Sequence, residues 1–252
     1  MQHKLQLPRI IAHRGASSSA PENTLAAMKG AHDLGATWVE FDVHLTKDFV
    51  PVVIHDDNVS KTTNGSGRLS EMLFSDLAGL DAGSWFSSAF KGERVPALGE
   101  LLGCLVACGL CANIELKPEP GREARMVEAV FQVVSEVWPE RAPALLFSSF
   151  SLEQMQAIRK RSDDVFMGFL MNVWDKEWQS IVADLSCVSV HANYRLLTQA
   201  RVGSIKESGR KVLVYTVDDI HLADKLFGWG VDAIFTNVPS QLISHLTSTR
   251  DK

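Results

Sequence analysis

The chain has 252 residues, of which 46% are hydrophobic and 22% charged, a composition that fits one large globular domain or a barrel of roughly 250 residues. The net charge is -5 and the 25 basic residues are scattered, so the basic footprint of a nucleic-acid-binding protein is absent. No apolar run reaches the roughly 18 uncharged residues of a spanning helix, so stable membrane insertion is not expected.

The amino terminus and the cysteines indicate the compartment. Residues 1–9 lack the apolar stretch of a signal peptide, which predicts a cytoplasmic protein. Cys104, Cys108, Cys111 and Cys187 lack the layout of a secreted disulfide framework and are expected to be reduced thiols. The first three have the spacing of an iron–sulfur motif, but close-packed thiols in apolar surroundings explain the same spacing.

The first predicted elements alternate between strand and helix. A strand is expected at about 9–13 and a helix at about 22–34, with Pro21 and Glu22 in its first turn. A second strand is expected at about 37–44. This order is typical of a βαβ unit.

The next apolar run, 51–55, predicts an antiparallel strand. It follows the second strand after only a few residues, which is too short for a parallel crossover. A turn centred between Lys47 and Asp48 would place position 55 opposite position 40. The hairpin would therefore return His55 to the level of Glu40.

The segment at about 57–98 interrupts this pattern and is rich in glycine, serine and aromatic residues. We interpret it as an insertion over the carboxyl-end face of a barrel, within a single domain spanning 1–252. Trp85 and Phe86 are expected to form its small core rather than a lipid-contacting lip.

The second half of the chain has a regular rhythm. Apolar runs start at intervals of 22, 22, 24 and 21 residues, at 143–148, 165–169, 187–190, 211–215 and 232–236. A helix-compatible segment follows each run. With the strands at 9–13, 37–44 and 111–116 they number eight, which predicts an α/β fold of the (β/α)8 TIM-barrel class with a small insertion after an early β-hairpin.

Acidic residues lie two apart near the ends of these strands. Residues two apart share a face of a strand, so Glu40 pairs with Asp42 and Glu115 with Lys117. Two like charges about 4 Å apart repel by roughly 4 kcal/mol at an effective dielectric near 20. The three carboxylates therefore need altered protonation or a cation, and one divalent ion, Ca²⁺ or Mg²⁺, is the simplest solution. Solvated acids are the alternative, which the apolar Phe41 between them disfavours.

Several short segments together resemble one enzyme family. They are Ala-His-Arg-Gly at 12–15, Ala-Pro-Glu-Asn-Thr at 20–24, Glu-Phe-Asp at 40–42, Val-Ile-His-Asp-Asp at 53–57 and Asn-Ile-Glu-Leu-Lys at 113–117. Their order and spacing resemble the glycerophosphodiester phosphodiesterase family. The likeness runs nearly end to end and includes 81–85, 148–150 and 215–217.

The resemblance implies metal-dependent hydrolysis of glycerophosphodiesters, such as glycerophosphocholine or glycerophosphoethanolamine, to an alcohol and sn-glycerol 3-phosphate. It implies that His13 and His55 shuttle protons and that Glu40, Asp42 and Glu115 bind the metal. A histidine pair suits the chemistry independently, because cleavage needs a base for the attacking oxygen and an acid for the leaving alkoxide.

Other residues of these motifs have less definite roles. Arg14 and Lys117 fit phosphate binding, and their alternative is ion pairing with the same carboxylates. Asn23 either contacts His13 or substrate, or caps the following helix. The resemblance gives His44 no role, and we expect a rim residue.

Two residues depart from the family pattern. Phe49 stands where many relatives have glycine in the hairpin, and its side chain disfavours a turn that needs positive φ. Asp218 stands where asparagine often follows Tyr-Thr-Val, and it is expected to alter the glycerol or alcohol side of the pocket.

Two rival functions remain open from the sequence. A lysophospholipid phosphodiesterase would use the same site but need an apolar groove near Trp85, Phe86 and Phe90. A catalytically silent phosphate-binding module is the other, and the intact His13 and His55 argue against it. The head group, the choice of metal, the acid and base assignments and the oligomeric state are also open.

Overall fold

Eight parallel strands close into a barrel in the computed structural model, which describes residues 5–140 and 142–250. The strands are β1 (Ile10–His13), β2 (Trp38–Leu45), β3 (Pro51–Val53), β4 (Cys111–Leu116), β5 (Leu145–Ser149), β6 (Phe166–Met171), β7 (Ser189–Asn193), β8 (Lys211–Tyr215) and β9 (Ala233–Thr236). β1 pairs with both β9 and β2, which closes the barrel, while β3 is antiparallel to β2. The predicted (β/α)8 barrel is confirmed.

Helices lie between successive parallel strands, as parallel pairing requires, and one more helix follows the last strand. They are α1 (Leu25–Asp33), α2 (Phe74–Leu77), α3 (Leu98–Cys108), α4 (Glu123–Val137), α5 (Leu152–Arg161), α6 (Trp178–Asp184), α7 (Gln199–Glu207), α8 (Ile220–Gly228) and α9 (Pro239–Arg250). Within 5–140 and 142–250, no helix is both long and apolar enough to cross a membrane.

The strand starts agree with the sequence pattern to within two residues, and the largest difference at a strand end is three residues, at β7. β4 and β8 span the expected positions, whereas β5 begins at Leu145 instead of 143. Proline has no N–H for a sheet ladder, and the Pro143 carbonyl instead accepts a hydrogen bond from the Trp138 indole.

The first helix begins later than the sequence pattern indicates. α1 starts at Leu25, because the Thr24 hydroxyl accepts a hydrogen bond from Ala27 N–H and caps the helix. The expectation that Pro21 and Glu22 occupy the first helical turn is wrong. They lie in the preceding turn.

The antiparallel hairpin is confirmed, but its register differs by one residue from the expected one. Val43 pairs with Val53, so the hairpin is centred on position 48. By extension of this register, position 55 corresponds to position 41 rather than 40. The Thr46 carbonyl accepts a hydrogen bond from Phe49 N–H, and the φ of 64° at Phe49 accommodates the extra turn residue.

The chain between β3 and α3 contains only short helices, including 3-10 turns at Val59–Lys61, Leu69–Glu71 and Ser88–Phe90. It buries an apolar cluster that is separate from the main core. This smaller cluster includes Val59, Leu69 and Leu77. Phe86 packs edge-on against both Trp85 and Phe90, but Trp85 and Phe86 lie outside that cluster and Trp85 is exposed, so the expectation that these two residues form the small core is wrong.

Alternation along the strands determines which side chains enter the barrel. Ile10 and Ala12 belong to the cluster between strands and helices, whereas Ile11 belongs to an inner cluster with Trp38. Successive strand residues point to opposite faces. His13 therefore continues the inner face of β1.

Candidate active site

The strand register brings the acidic residues together at the carboxyl end of the barrel. His13 pairs with Glu40 on the adjacent strand, and Asp42 pairs with Glu115. Glu40 and Asp42 follow Trp38 at intervals of two, so they extend the inner face of β2. The seven site residues predicted from the sequence all line one cavity: His13, Arg14, Glu40, Asp42, His55, Glu115 and Lys117.

Three carboxylates form a cluster that could hold a metal ion. One oxygen from each of Glu40, Asp42 and Glu115 lies within 4.8 Å of the others. Burial, and then Asp42 and Glu115, raise the pKa of Glu40 well above its ordinary value. Glu40 Oε1 is buried without a hydrogen-bond partner. An oxygen-only set with one unpartnered oxygen fits a hard divalent cation.

Two cations contact the cluster. Lys117 Nζ lies 3.0 Å from Asp42 Oδ1 and 2.9 Å from Glu115 Oε1, and Arg14 Nε lies 3.3 Å from Asp42 Oδ2. Burial alone raises the pKa of Asp42, but Lys117 and Arg14 outweigh burial and hold that pKa below its ordinary value. The ion pairs considered as an alternative for both cations are therefore present.

A tight turn after β1 places Arg14. Arg14 and Gly15 have positive φ values of 56° and 80°, and Arg14 N–H donates to Glu40 Oε2 at 3.1 Å. A Cβ at Gly15 would lie 2.6 Å from the Ala27 backbone, so glycine is needed there. The Arg14 guanidinium also contacts Glu22 at 2.7 Å.

His13 is held by a residue from the opposite end of the chain. Its Nδ1 lies 2.8 Å from Asn237 Oδ1, and its Nε2 lies 3.8 Å from Glu40 Oε2. Burial, reinforced by Arg14, lowers the pKa of His13 to about 4. The ring is therefore neutral at pH 7 without a ligand in the cavity.

His55 has a carboxylate at the corresponding nitrogen. Its Nδ1 lies 3.0 Å from Asp56 Oδ1, and Lys61 Nζ lies 2.9 Å from Asp56 Oδ2. Burial lowers the pKa of His55, and Asp42 opposes that effect. Both His13 and His55 thus have an acceptor at Nδ1, so a neutral ring carries its proton there and its lone pair on Nε2.

Comparison with known proteins finds the family that the two histidines and the three carboxylates of the cavity suggest. A family model, described as Glycerophosphoryl diester phosphodiesterase family, matches residues 13–241. The chain belongs to this family. Its members are phosphoric diester hydrolases, so the predicted family and enzyme class are confirmed.

Individual members of the family match this chain along most of its length. The glycerophosphodiester phosphodiesterase of Caldanaerobacter subterraneus is 35% identical over 239 residues, covering 93% of this chain and 96% of the relative. The Bacillus subtilis enzyme of that name is 31% identical, covering 91% and 83%. A solved Oleispira antarctica phosphodiesterase, in complex with the product sn-glycerol-3-phosphate, has a TM-score of 0.93 and 36% identity, covering 96% of this chain and 97% of its own.

His44 in this family member is not the expected rim residue. It is buried, with Nδ1 3.0 Å from Glu119 Oε1 and Nε2 3.1 Å from the His55 carbonyl oxygen. Glu119 also accepts a hydrogen bond from Leu45 N–H. His44 and Glu119 therefore hold the main chain at His55, a contact that the 75-residue separation concealed in the sequence.

Asn23 neither caps the following helix nor hydrogen-bonds to His13. Thr24 rather than Asn23 caps α1, so the capping expectation is wrong. Asn23 Nδ2 donates to Asp42 Oδ2 at 2.9 Å, so the amide holds a carboxylate of the cluster rather than His13.

The apolar wall of the cavity comes from the barrel strands and the residues that follow them. Trp85, Phe86 and Phe90 are not among the lining residues; Phe150, Leu170, Tyr215 and Phe235 are. The three aromatic residues named in the lysophospholipid alternative therefore lie outside the wall of this cavity.

Asn237 was missed in the sequence, although a signal was available. It directly follows β9, just as other polar site residues follow or end barrel strands. Strand-end position alone therefore indicates it. Its contact with His13 depends on barrel closure and has no local signature.

Proposed function

We propose that the chain hydrolyses glycerophosphodiesters, such as glycerophosphocholine or glycerophosphoethanolamine, to an alcohol and sn-glycerol 3-phosphate. The observation that carries the proposal is the single cavity that combines His13 and His55 with the carboxylate cluster. The product bound to the Oleispira antarctica relative supports the same reaction. We regard the whole chain as one catalytic domain, with about 57–98 as an insertion.

Glu40, Asp42 and Glu115 would hold one divalent cation, Ca²⁺ or Mg²⁺. When bound, the cation would supply positive charge that stabilises the charge developing on the phosphate. Arg14 and Lys117 now contact Asp42, and both line the cavity. Their charges suit phosphate oxygens, with the planar guanidinium offering two parallel donors.

The proposed chemistry uses the histidine pair in two proton transfers. One histidine accepts the proton of the glycerol 2-hydroxyl as that oxygen forms a bond to phosphorus. The other donates a proton to the alcohol oxygen as its bond to phosphorus breaks. Water then opens the resulting cyclic phosphate, with the two proton transfers reversed, and both histidines return to their starting states.

The cavity suits a small polar diester. Charged side chains line it together with Phe150, Leu170 and Tyr215. Polar and apolar groups in one pocket can orient a diester with two different ends.

A substrate panel assayed after chelation and readdition of single metals tests the proposal. We expect turnover of simple glycerophosphodiesters that EDTA abolishes and that Ca²⁺ or Mg²⁺ restores. Lysophospholipid micelles belong in the same panel. Turnover of micelles alone would support the lysophospholipid enzyme, and phosphate binding without turnover of any diester would support the silent module.

A further inference from the structure

The Asn237 carboxamide has a defined orientation between His13 and Asp218. Its Oδ1 lies 2.8 Å from His13 Nδ1 and 2.9 Å from Ser17 Oγ, and its Nδ2 lies 2.8 Å from Asp218 Oδ2. A carboxylate only accepts hydrogen bonds, so the amide nitrogen must face Asp218. The amide oxygen therefore faces His13.

Asp218 is itself held on the end of β9. Its Oδ1 accepts hydrogen bonds from the Thr236 hydroxyl at 2.9 Å and from Asn237 N–H at 2.8 Å. Thr236 is fully buried, which gives the carboxylate a rigid anchor. Asp218 thus binds both the main chain and the side chain of Asn237.

The amide orientation selects one tautomer of the neutral His13 ring. An acceptor at Nδ1 requires a proton there, which leaves the lone pair on Nε2. We propose that Asp218 is a positioning residue that, through the Asn237 carboxamide, holds His13 in the Nδ1-protonated tautomer. The consequence for turnover rests on the proposed proton transfer by His13, whereas the tautomer itself does not.

Asp218 and Asn237 form a reciprocal pair with one carboxylate and one amide. In Asp218→Asn, either two amide nitrogens face each other or the Asn237 amide flips and donates toward His13. In Asn237→Asp, two carboxylates face each other. In the double variant, the amide at 218 donates to the carboxylate at 237, which again accepts from His13 Nδ1–H. Every donor then regains an acceptor.

The experiment compares both single variants and the double variant with the parent protein. The ¹⁵N shifts of the His13 ring report the tautomer, and steady-state assays report kcat and KM separately. We expect Asp218→Asn to reduce the Nδ1-protonated population and to lower kcat by roughly 10²-fold, the scale of a general acid or base effect, with little change in KM. The double variant should recover most of kcat and the original tautomer.

Asp219→Asn is the matched control. Asp219 caps α8 next to Asp218, and asparagine caps helices equally well, so tautomer and kcat should not change. Thermal unfolding identifies a single variant that fails to fold, and the double variant then carries the test. An unchanged His13 tautomer in folded Asp218→Asn, or a folded double variant as slow as the singles, would overturn the proposal. Failure of the proposed function is distinct, because it appears as absent turnover in the parent protein.

Discussion

At the scale of single residues, His13 and His55 have matching environments. Each has an acceptor at Nδ1 and lines the cavity beside the carboxylates. We expect His13→Ala and His55→Ala each to reduce turnover by roughly 10² to 10⁴ with much less effect on substrate binding. His32→Ala, on an exposed position of α1, is the control. Near-normal kcat in either variant would exclude that histidine from proton transfer.

The nucleophile is testable with an altered substrate. The glycerol 2-hydroxyl is tethered to the phosphate, which gives attack by that oxygen the proximity advantage of an intramolecular reaction. A 2-deoxy glycerophosphodiester should therefore bind as a competitive inhibitor and turn over very slowly. Hydrolysis as fast as that of the natural diester would show that water attacks directly.

The carboxylates should control metal affinity rather than folding. Glu40→Gln and Glu115→Gln each remove a ligand charge with little change in volume, so we expect weaker Ca²⁺ or Mg²⁺ binding and near-native thermal unfolding. Isothermal titration measures the affinity directly. Glu136→Gln, which removes an exposed carboxylate from α4, should leave the titration unchanged. If both site variants also bind metal like the parent, the cluster is not the metal site.

The residues predicted from sequence and those missed differ in a physical way. Glu40 and Asp42 could be paired from the sequence because two-residue periodicity along one strand is local. Asn237 and Glu119 act on residues 224 and 75 positions away. The first contact exists only after β1 pairs with β9, and the second only after β2 pairs with β4. Periodicity carries no information about such partners.

At the scale of elements, the β2–β3 hairpin carries an unusual residue at its tip. Phe49 has a φ of 64°, and the guanidinium carbons of Arg122 and Arg125 each lie 4.9 Å from its ring centroid. The left-handed conformation costs roughly 1–2 kcal/mol for a residue other than glycine. Two exposed cation–π contacts contribute about 0.5–1 kcal/mol each, which is of the same size.

Substitutions at Phe49 separate the two effects. Phe49→Leu keeps the backbone cost and loses the ring, so we expect a loss of about 1–2 kcal/mol in the free energy of unfolding. Phe49→Gly loses the ring but relieves the backbone, so its loss should be smaller. Urea denaturation of both variants measures the difference. A glycine variant less stable than the leucine variant would contradict this balance.

The same hairpin shows why element boundaries were harder to predict than element types. The positions of the strands could be predicted from short apolar runs. The register between β2 and β3 depends instead on the number of residues in the turn. The positive φ at Phe49 adds one residue to the turn, and a side chain that disfavours that conformation conceals it in the sequence. The start of helix α1 also differs from the predicted one, because Thr24 rather than an earlier residue caps the helix.

At the scale of the whole molecule, the barrel was predictable because its rhythm repeats. A parallel strand and its crossover need a minimum length, so apolar runs spaced by 21 to 24 residues admit few other architectures. Closure then brings residues from β1, β2 and β4 to one cavity. The segment before α3 has no such period, so its internal contacts could not be predicted from its composition.

The metal should also change the stability of the whole barrel. The carboxylate cluster joins neighbouring strands β2 and β4, so an ion bound there favours the folded state over the unfolded chain. A ligand at 100 times its Kd stabilises by about 2.7 kcal/mol. For a chain of this size, each 1 kcal/mol raises Tm by roughly 2–4 °C.

We therefore expect Ca²⁺ or Mg²⁺ at such a concentration to raise Tm by roughly 5–10 °C over the EDTA-treated protein. Differential scanning calorimetry measures the shift, with KCl at equal ionic strength as the control for screening. A Glu40→Gln/Glu115→Gln double variant should show little shift, because its cluster lacks two charges. If the metal restores turnover without raising Tm at saturation, its binding does not favour the folded state, and the ion acts with the substrate rather than through a site preformed by the barrel.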